Sequence, residues 1–129
     1  MDRGSWGSEM KIQSYKDLEV WKTGLEIVKL VYSVTKKFSK SESFGLTSQT
    51  QRAAVSIPTN IAEGFARRYT KEFTRFCYIA LGSCSELETL VIIAKEQTHL
   101  TGDDFKKLTE LLDHESRMLM SLTKKLVNH

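Results

Sequence analysis

The chain has 129 residues, of which 40% are hydrophobic and 27% charged, and its formal net charge is +3. This composition is typical of a globular domain and excludes a disordered chain. One proline and seven glycines leave few places to turn, which predicts long helices. Apolar runs such as residues 90–94 are much shorter than the ~20 residues that span a bilayer, so no membrane helix is expected.

The amino-terminal segment, residues 1–9, contains two Gly-Ser pairs and has no basic start followed by an apolar stretch. It therefore does not resemble a secretion signal, and a cytoplasmic location is expected. Met10 can serve as the natural start of the protein. We predict that residues 1–9 are a flexible leader or a remnant of cloning, and that residues 10–129 form one helical domain.

The first helix is predicted to start at Ser14, because Asp17 follows three positions later as in a capping box. Two apolar rows then run side by side with spacings of three and four. They consist of Leu18, Trp21, Leu25, Val28, Tyr32 and Thr35, and of Val20, Gly24, Ile27, Val31, Val34 and Phe38. Together they cover more of the helix than a bundle normally buries. The surplus is either absorbed by tight packing or forms a subunit interface, and we favour the interface.

The second helix is predicted over residues 46–67 and is built largely from small side chains, which let neighbouring helices approach closely. Pro58 either bends this helix, at a cost of ~3 kcal/mol, or begins a new one. The core-facing residues are Leu46, Ala53, Ala54, Ile57, Ile61, Gly64 and Phe65, and a polar row contains Gln49, Arg52, Ser56, Thr59 and Glu63. That row is either a solvated face or a paired network across an interface, and the sequence does not decide between them.

Two further helices complete the pattern. Thr70 is expected to cap the third helix, whose core row is Phe73, Phe76, Ala80, Ser83, Leu87, Leu90 and Ala94. Thr101 is expected to cap the fourth, whose row is Phe105, Leu108, Leu112, Leu119, Leu122 and Leu126, with Glu115 as its polar interruption. No segment alternates with period two. Short links between long helices favour antiparallel neighbours, so the sequence predicts an all-α, up-down-up-down antiparallel four-helix bundle.

Catalytic patterns are weak in this sequence. Cys77 and Cys84 lie ~10.5 Å apart along one helix, too far for a disulfide, and are interpreted as small core residues. None of the histidines forms an evident triad with them. Glu96-x-x-His99 has the spacing of di-iron bundles, but the second pair that such a site needs is lacking. We therefore expect no enzymatic activity, no metal and no cofactor.

Basic residues cluster at one end of the predicted bundle. Arg67, Arg68, Lys71 and Arg75 fall within nine positions opposed only by Glu72. The predicted topology brings Lys11, Lys16, Lys124 and Lys125 to the same end. This end is either a solvated surface or a contact for nucleic-acid phosphates, and repetition in an oligomer would concentrate its positive potential. Neither an aromatic-rich single-strand platform nor a recognition-helix motif accompanies it, so base-specific reading is not expected.

Four ordered motifs carry a resemblance to a known family. They are Tyr15-x-x-Leu18-x-x-Trp21, Gly45-Leu46-x-x-Gln49-x-x-Arg52, Ser56-Ile57-Pro58-x-Asn60-Ile61-Ala62-Glu63-Gly64-x-x-Arg67 and Ile79-Ala80-x-Gly82-Ser83-x-x-Glu86-Leu87-Glu88-Thr89. Over about residues 12–127 the chain resembles the bacterial four-helix-bundle family named for 23S rRNA intervening-sequence proteins. It departs from the family's usual pattern at Ser39, where proline is common, and at Tyr15, where phenylalanine is common.

The resemblance implies a homopentamer whose molecular function is poorly defined. It also implies a structural or interface role for the matching residues Trp21, Gln49, Arg52, Ser56, Pro58, Asn60, Glu63, Gly64, Gly82 and Glu86. The fold is similar to the accessory protein of diversity-generating retroelements, which partners a reverse transcriptase and nucleic acid. Two hypotheses follow: a bundle that binds RNA or DNA through backbone phosphates, or a protein-interaction scaffold, for example for a reverse transcriptase.

Overall fold

The computed structural model describes residues 12–128. Its long helices are α1 (Glu19–Thr35), α2 (Leu46–Ala66), α3 (Thr70–Glu96) and α4 (Gly102–Val127), with short 3-10 turns at Tyr15–Asp17 and Lys40–Glu42. The predicted leader at residues 1–9, Lys11 and His129 lie outside the described residues. Within residues 12–128 there is no strand, so the all-α prediction with four helices is confirmed.

The predicted start of the first helix at Ser14 is wrong. The capping interactions do form, since the N–H of Lys16 donates to Ser14 Oγ (3.2 Å) and the N–H of Ser14 donates to Asp17 Oδ2 (3.1 Å). They close only a 3-10 turn, because Leu18 is extended, with φ −76° and ψ 128°. That conformation places the Leu18 side chain in the core and delays the start of α1 to Glu19.

The helices pack in the order of the chain. α2 makes its most extensive contact with α3, α3 also contacts α4, and α1 contacts both α2 and α4. Because short links join helices that lie against each other, the chain reverses direction at each link. Length and composition would allow α3 to cross a membrane. Core helices pass the same test, and α3 buries a full row against its neighbours in this bundle.

The buried rows of α2, α3 and α4 agree with the predicted core, except that Leu46 and Phe105 are only half-buried. In α1 the two predicted rows differ. Val20, Gly24, Ile27, Val31 and Val34 are buried, whereas Trp21, Leu25 and Val28 are half-buried and Tyr32 is exposed. One protomer therefore leaves part of the row that contains Trp21, Leu25, Val28 and Tyr32, the outer row of α1, open to solvent. The bundle does not absorb the whole apolar width of this helix.

α2 continues through Pro58, so the interpretation that this proline begins a new helix is wrong. Proline has no N–H, and the carbonyl of Ala54 therefore loses its usual donor. Polar side chains bond to the two carbonyls that follow Ala54 in the chain. Thr59 Oγ1 donates to the Val55 carbonyl (2.9 Å), and Asn60 Nδ2 donates to the Ser56 carbonyl (2.7 Å). Side-chain bonds to the carbonyl four residues earlier often accompany a bend in a helix, as an interior proline does.

α1, α2 and α4 meet closely at Gly24. A Cβ atom on Gly24 would lie 3.2 Å from Pro58 Cβ and 3.2 Å from Glu115 Oε2, so a larger residue would force the helices apart. The side chain of Glu115 is fully buried, and neither of its oxygens has a hydrogen-bond partner among the described residues. Burial, followed by the negative charge of Glu26, raises the pKa of Glu115 to about 8. At neutral pH its carboxyl group is therefore mostly protonated.

Candidate nucleic-acid interface

The turn between α2 and α3 holds Arg68 in an unusual conformation. α2 ends with Arg67 as its C-cap, and Arg68 follows with φ 69°, in the left-handed region. Its N–H donates to the Phe65 carbonyl (3.3 Å), which closes the helix end. Glycine is usual at this position, and a residue with a Cβ atom is destabilised there by about 1–2 kcal/mol. The side chain of Arg68 is exposed to solvent.

The predicted cap of α3 is wrong by one residue. Tyr69, with extended backbone at φ −124° and ψ 131°, occupies the N-cap position and makes no side-chain capping bond. Thr70 is already the first helical residue. By contrast, the Thr101 cap of α4 is confirmed, because its hydroxyl accepts the N–H of Asp104 (3.1 Å).

Two of the predicted phosphate-binding arginines are paired with carboxylates. Arg67 Nε lies 3.0 Å from Glu63 Oε2, and its Nη1 lies 3.7 Å from Glu72 Oε1. Arg75 donates two hydrogen bonds to the carboxylate of Glu72, from Nε to Oε2 (3.1 Å) and from Nη2 to Oε1 (3.3 Å). The hydrogen bond from Arg75, together with the nearby positive charges, lowers the pKa of Glu72.

The same two arginines lie over one aromatic ring. The guanidinium carbon of Arg67 is 5.2 Å from the centroid of Phe76, and that of Arg75 is 4.5 Å from it. Such cation–π contacts help to fix both side chains against α3. Because Glu63 and Glu72 offset their charge, Arg67 and Arg75 add little net positive potential to this end. The sequence cluster is therefore less basic in space than its spacing suggests.

Lys124 and Lys125 face different grooves, although they are adjacent in sequence. Lys124 lines an open groove of about 560 Å³ between α3 and α4, together with Tyr78, Met120 and Val127. Lys125 lines a smaller groove of about 250 Å³ beside α1, which also contains the carboxylates of Asp17 and Glu19. The structure therefore does not bring all six predicted basic residues into one site. Among them Arg68, Lys71, Lys124 and Lys125 are exposed and make no ion pair within the described residues.

Several of the family-matched residues come together on the outer face of α2. Gln49, Arg52, Ser56 and Glu86 border one open groove of about 320 Å³, between α2 and α3. Arg52 and Ser56 also border a second groove, of about 400 Å³, shared with α1. Glu63 of this polar row bonds to Arg67 within the protomer, and the choice between a solvated face and a paired network across an interface stays open. Within residues 12–128, Arg52 makes no ion pair.

The two glycines of the matched motifs differ in their surroundings. A Cβ atom on Gly64 would lie 2.5 Å from Phe76 Cβ, so this glycine permits the close crossing of α2 and α3. A Cβ atom on Gly82 would meet nothing within 4 Å among the described residues, so no packing role in the protomer follows for it. Trp21 is half-buried and makes an edge contact with Tyr15, with ring centroids 5.4 Å apart.

Sequence reasoning missed two features. Glu115 was expected only as a polar interruption, although a glutamate at a core position of an apolar row is itself a signal of a buried carboxyl group. Tyr78 was assigned no role, because Lys124, which lines the same groove, belongs to a different helix and is distant in sequence.

The cysteines are buried as predicted, and burial raises the pKa of Cys77 and of Cys84 to about 12. No group of three potential metal ligands occurs in the part of the chain that the structure describes.

Comparison with known proteins places this chain among the relatives that its motifs suggest. A family model described as 23S rRNA-intervening sequence protein matches residues 16–121. The fold is similar to that of a protein of unknown function from the S23 ribosomal protein family of Bacteroides thetaiotaomicron. The two chains are 21% identical in sequence and superpose with a TM-score of 0.76, and the match covers 81% of this chain and 98% of that chain. No curated protein matches this chain. Because the family model spans most of its length, the chain belongs to the family of 23S rRNA-intervening sequence proteins.

Proposed function

We propose that this protein is a non-enzymatic, oligomeric helical bundle that binds RNA or DNA through backbone phosphates at the end formed by the α2–α3 turn and the carboxyl terminus of α4. The observation that carries the proposal is Arg68. Its left-handed backbone is destabilising, yet it presents an exposed guanidinium group that makes no ion pair within residues 12–128. A glycine would relax the turn but would remove the charge.

Further exposed cations support this choice of end. Lys71 follows Arg68 by three residues, and Lys124 lies at the end of α4, both without an ion-pair partner in the described range. The opposite end of the bundle also carries lysines, but carboxylates lie among them. There Lys37 Nζ pairs with Asp104 Oδ2 at 3.1 Å, and Asp103 and Asp104 occupy the first turn of α4. We infer that a polyanion contacts the end that presents Arg68, Lys71 and Lys124.

Contacts of this kind do not depend on the bases. Lysine and arginine bind phosphate by charge, and phosphate contacts carry no direct sequence information. The non-enzymatic part of the proposal is supported by the cysteines. Because Cys77 and Cys84 are buried with pKa values of about 12, neither supplies a thiolate nucleophile at neutral pH.

The oligomeric part of the proposal is supported by the uncovered apolar surface. Tyr32 on the outer row of α1 is 42% exposed, and Ile92 and Ile93 on α3 are each 41% exposed. Burial of such surface against a second copy would release ordered water and stabilise an assembly. A closed assembly would also repeat the basic end around its axis. The expectation of five subunits comes from the family resemblance alone.

The test is a binding titration at several salt concentrations with a random-sequence RNA and a random-sequence DNA. Each neutralised phosphate contributes ~0.7 to 0.9 to the slope of log affinity against log salt. If Lys71 and Lys124 both contact phosphate, the double substitution Lys71→Gln and Lys124→Gln should lower the slope by about 1.4 to 1.8. Affinity for all sequences should fall by a similar factor.

The matched control changes Lys106→Gln and Lys107→Gln, which removes the same charge from exposed positions in the first half of α4. The control should bind like the wild type. Equal weakening by both double variants would show that net charge, and not this end, determines affinity. An absence of wild-type binding at about 50 mM salt, where non-specific contacts are strong, would refute the proposal.

A second candidate function is a protein-interaction scaffold, such as an accessory subunit of a reverse transcriptase. The observation that favours it is Arg52, an exposed cation that makes no ion pair within the described residues and that borders two open grooves together with Ser56. A charge reversal, Arg52→Glu, should then abolish co-purification with a co-expressed reverse transcriptase. It should leave salt-dependent binding of RNA unchanged, which separates this function from the first.

A further inference from the structure

The groove between α3 and α4 differs from the other grooves of the protein. Its walls carry three exposed apolar or aromatic side chains: Tyr78 is 54% exposed, Met120 59% and Val127 63%. The remaining lining residues are Ser121, Thr123, Lys124 and Asn128. Lys124 is therefore the charged member of the lining, and no carboxylate faces this groove among the residues that the structure describes.

We propose that this groove holds an unpaired base of a single-stranded nucleic acid, stacked on the Tyr78 ring, with Lys124 on an adjacent phosphate. The inference rests on the proposed function, since it specifies which form of nucleic acid the basic end binds. The chemistry of the groove fits a stacked nucleotide, because the groove combines an accessible aromatic ring, aliphatic walls and a cation.

The charges around α4 make the α3–α4 groove a better site for phosphate than the groove on the α1 side. The groove on the α1 side contains Lys125, but it also contains Asp17 and Glu19, which repel phosphate. Among the described residues, no carboxylate lines the α3–α4 groove. A second cation extends it, since Lys71 precedes Tyr78 by seven residues and so lies on the same face of α3, ~10.5 Å away along the helix axis.

The aromatic ring accounts for a preference for single strands. Every base has a flat π-face, so stacking on a tyrosine tolerates any sequence. In a duplex both faces of an internal base are already stacked on neighbouring pairs, and the base must be extruded before it can reach Tyr78. The aliphatic parts of Met120 and Val127 line the same groove and would exclude water from a stacked base. Duplexes would then bind by phosphate contacts alone.

The experiment compares the binding of a single-stranded RNA oligonucleotide with that of a duplex of equal length, at fixed low salt. Tyr78→Ala should weaken single-strand binding about 5- to 150-fold, the range expected for the loss of one stacked base. Duplex binding should not change, and neither should the salt slope for single strands, because tyrosine carries no charge. Tyr78→Phe keeps the ring and should bind like the wild type.

Phe44→Ala is the matched control, because Phe44 is an aromatic residue that is 99% exposed and lies in the link between α1 and α2, at the opposite end of the bundle. It should bind like the wild type. If Tyr78→Ala leaves single-strand binding unchanged, or weakens duplex binding equally, the stacking inference is overturned while the proposed function stands. If the wild type binds neither oligonucleotide, the proposed function fails, and the inference falls with it.

Discussion

Glu115 gives the protein a stability that should fall as the pH rises. Its carboxyl group is fully buried between α1, α2 and α4, and burial together with the charge of Glu26 raises its pKa from the ordinary 4.5 to about 8. Between these two values the folded protein holds a proton that the unfolded chain has released. The folded state binds more protons there, so the free energy of unfolding decreases with rising pH across this window.

The size of the effect follows from the two pKa values. They differ by about 3.5, and each pKa unit corresponds to about 1.4 kcal/mol, which gives a loss of about 5 kcal/mol between pH 4.5 and pH 8. Entry of water around the ionised side chain makes this value an upper limit. Below pH 4.5 the contribution of Glu115 is constant because both states are protonated, and above pH 8 it is constant because both are ionised. The neighbouring thiols, Cys77 and Cys84, have pKa values of about 12 and do not titrate in this range.

Glu115→Gln isolates the pH-dependent contribution of Glu115 to the free energy of unfolding, because glutamine keeps the shape of the side chain but does not titrate. Urea unfolding, followed by circular dichroism at a fixed protein concentration, should be measured from pH 4 to pH 9. We expect the two proteins to be similar at pH 4 and the variant to be more stable by several kcal/mol at pH 8 to 9. Glu110→Gln, an exposed position on the same helix, should follow the wild type. Parallel stability curves for the wild type and Glu115→Gln would refute the reasoning.

Three further predictions concern packing, backbone and assembly. Gly64→Ala should destabilise the fold by about 1–3 kcal/mol, because the new Cβ atom meets Phe76. Gly82→Ala adds a Cβ atom in open space and should stabilise α3 by about 1 kcal/mol. Equal effects of the two substitutions in urea unfolding would contradict the packing argument. Thr98 follows the end of α3 with φ 62°, so Thr98→Gly should raise stability by about 1 kcal/mol in the same assay. Light scattering on a sizing column should show a closed oligomer, and a monomer at micromolar concentration would exclude the assembly proposed for the outer row of α1.

The helices were predictable because their signals are local. Alternating spacings of three and four located every buried row, and the Thr101 cap lies within one turn of the residues that it serves. The errors occurred where a single backbone conformation decides the boundary. The Ser14 capping box formed as predicted, but the extended backbone of Leu18 separated it from α1. Neither propensity nor periodicity reports such a one-residue break, because the apolar pattern continues across it.

The behaviour of Pro58 was only half predictable for a related reason. The sequence shows that the proline lies in a long helical pattern, but the partners that let the helix continue are tertiary as well as local. Asn60 and Thr59 bond to nearby carbonyls, a pattern that spacing of four residues permits. The ring of Pro58 also needs the space that Gly24 leaves on another helix, and a single sequence does not show that Gly24 and Pro58 face each other.

The candidate site shows how charge in sequence differs from charge in space. Arg67 and Arg75 are the centre of the basic cluster in the sequence, but Glu63 and Glu72 offset both of them and Phe76 holds them against α3. Replacing these arginines would therefore disturb packing and ion pairs together with any binding, so a loss of affinity would not identify a phosphate contact.

Lys71 and Lys124 are better positions for testing the interface, because neither makes an ion pair within residues 12–128 and both are exposed. Lys124 also shares its groove with Tyr78, an uncharged residue from a different helix. Changes at the lysines alter the salt slope, whereas a change at Tyr78 alters affinity for single strands at constant slope. Because the two effects are separate, the same titrations decide whether this end binds phosphate at all and whether it distinguishes unpaired bases from a duplex.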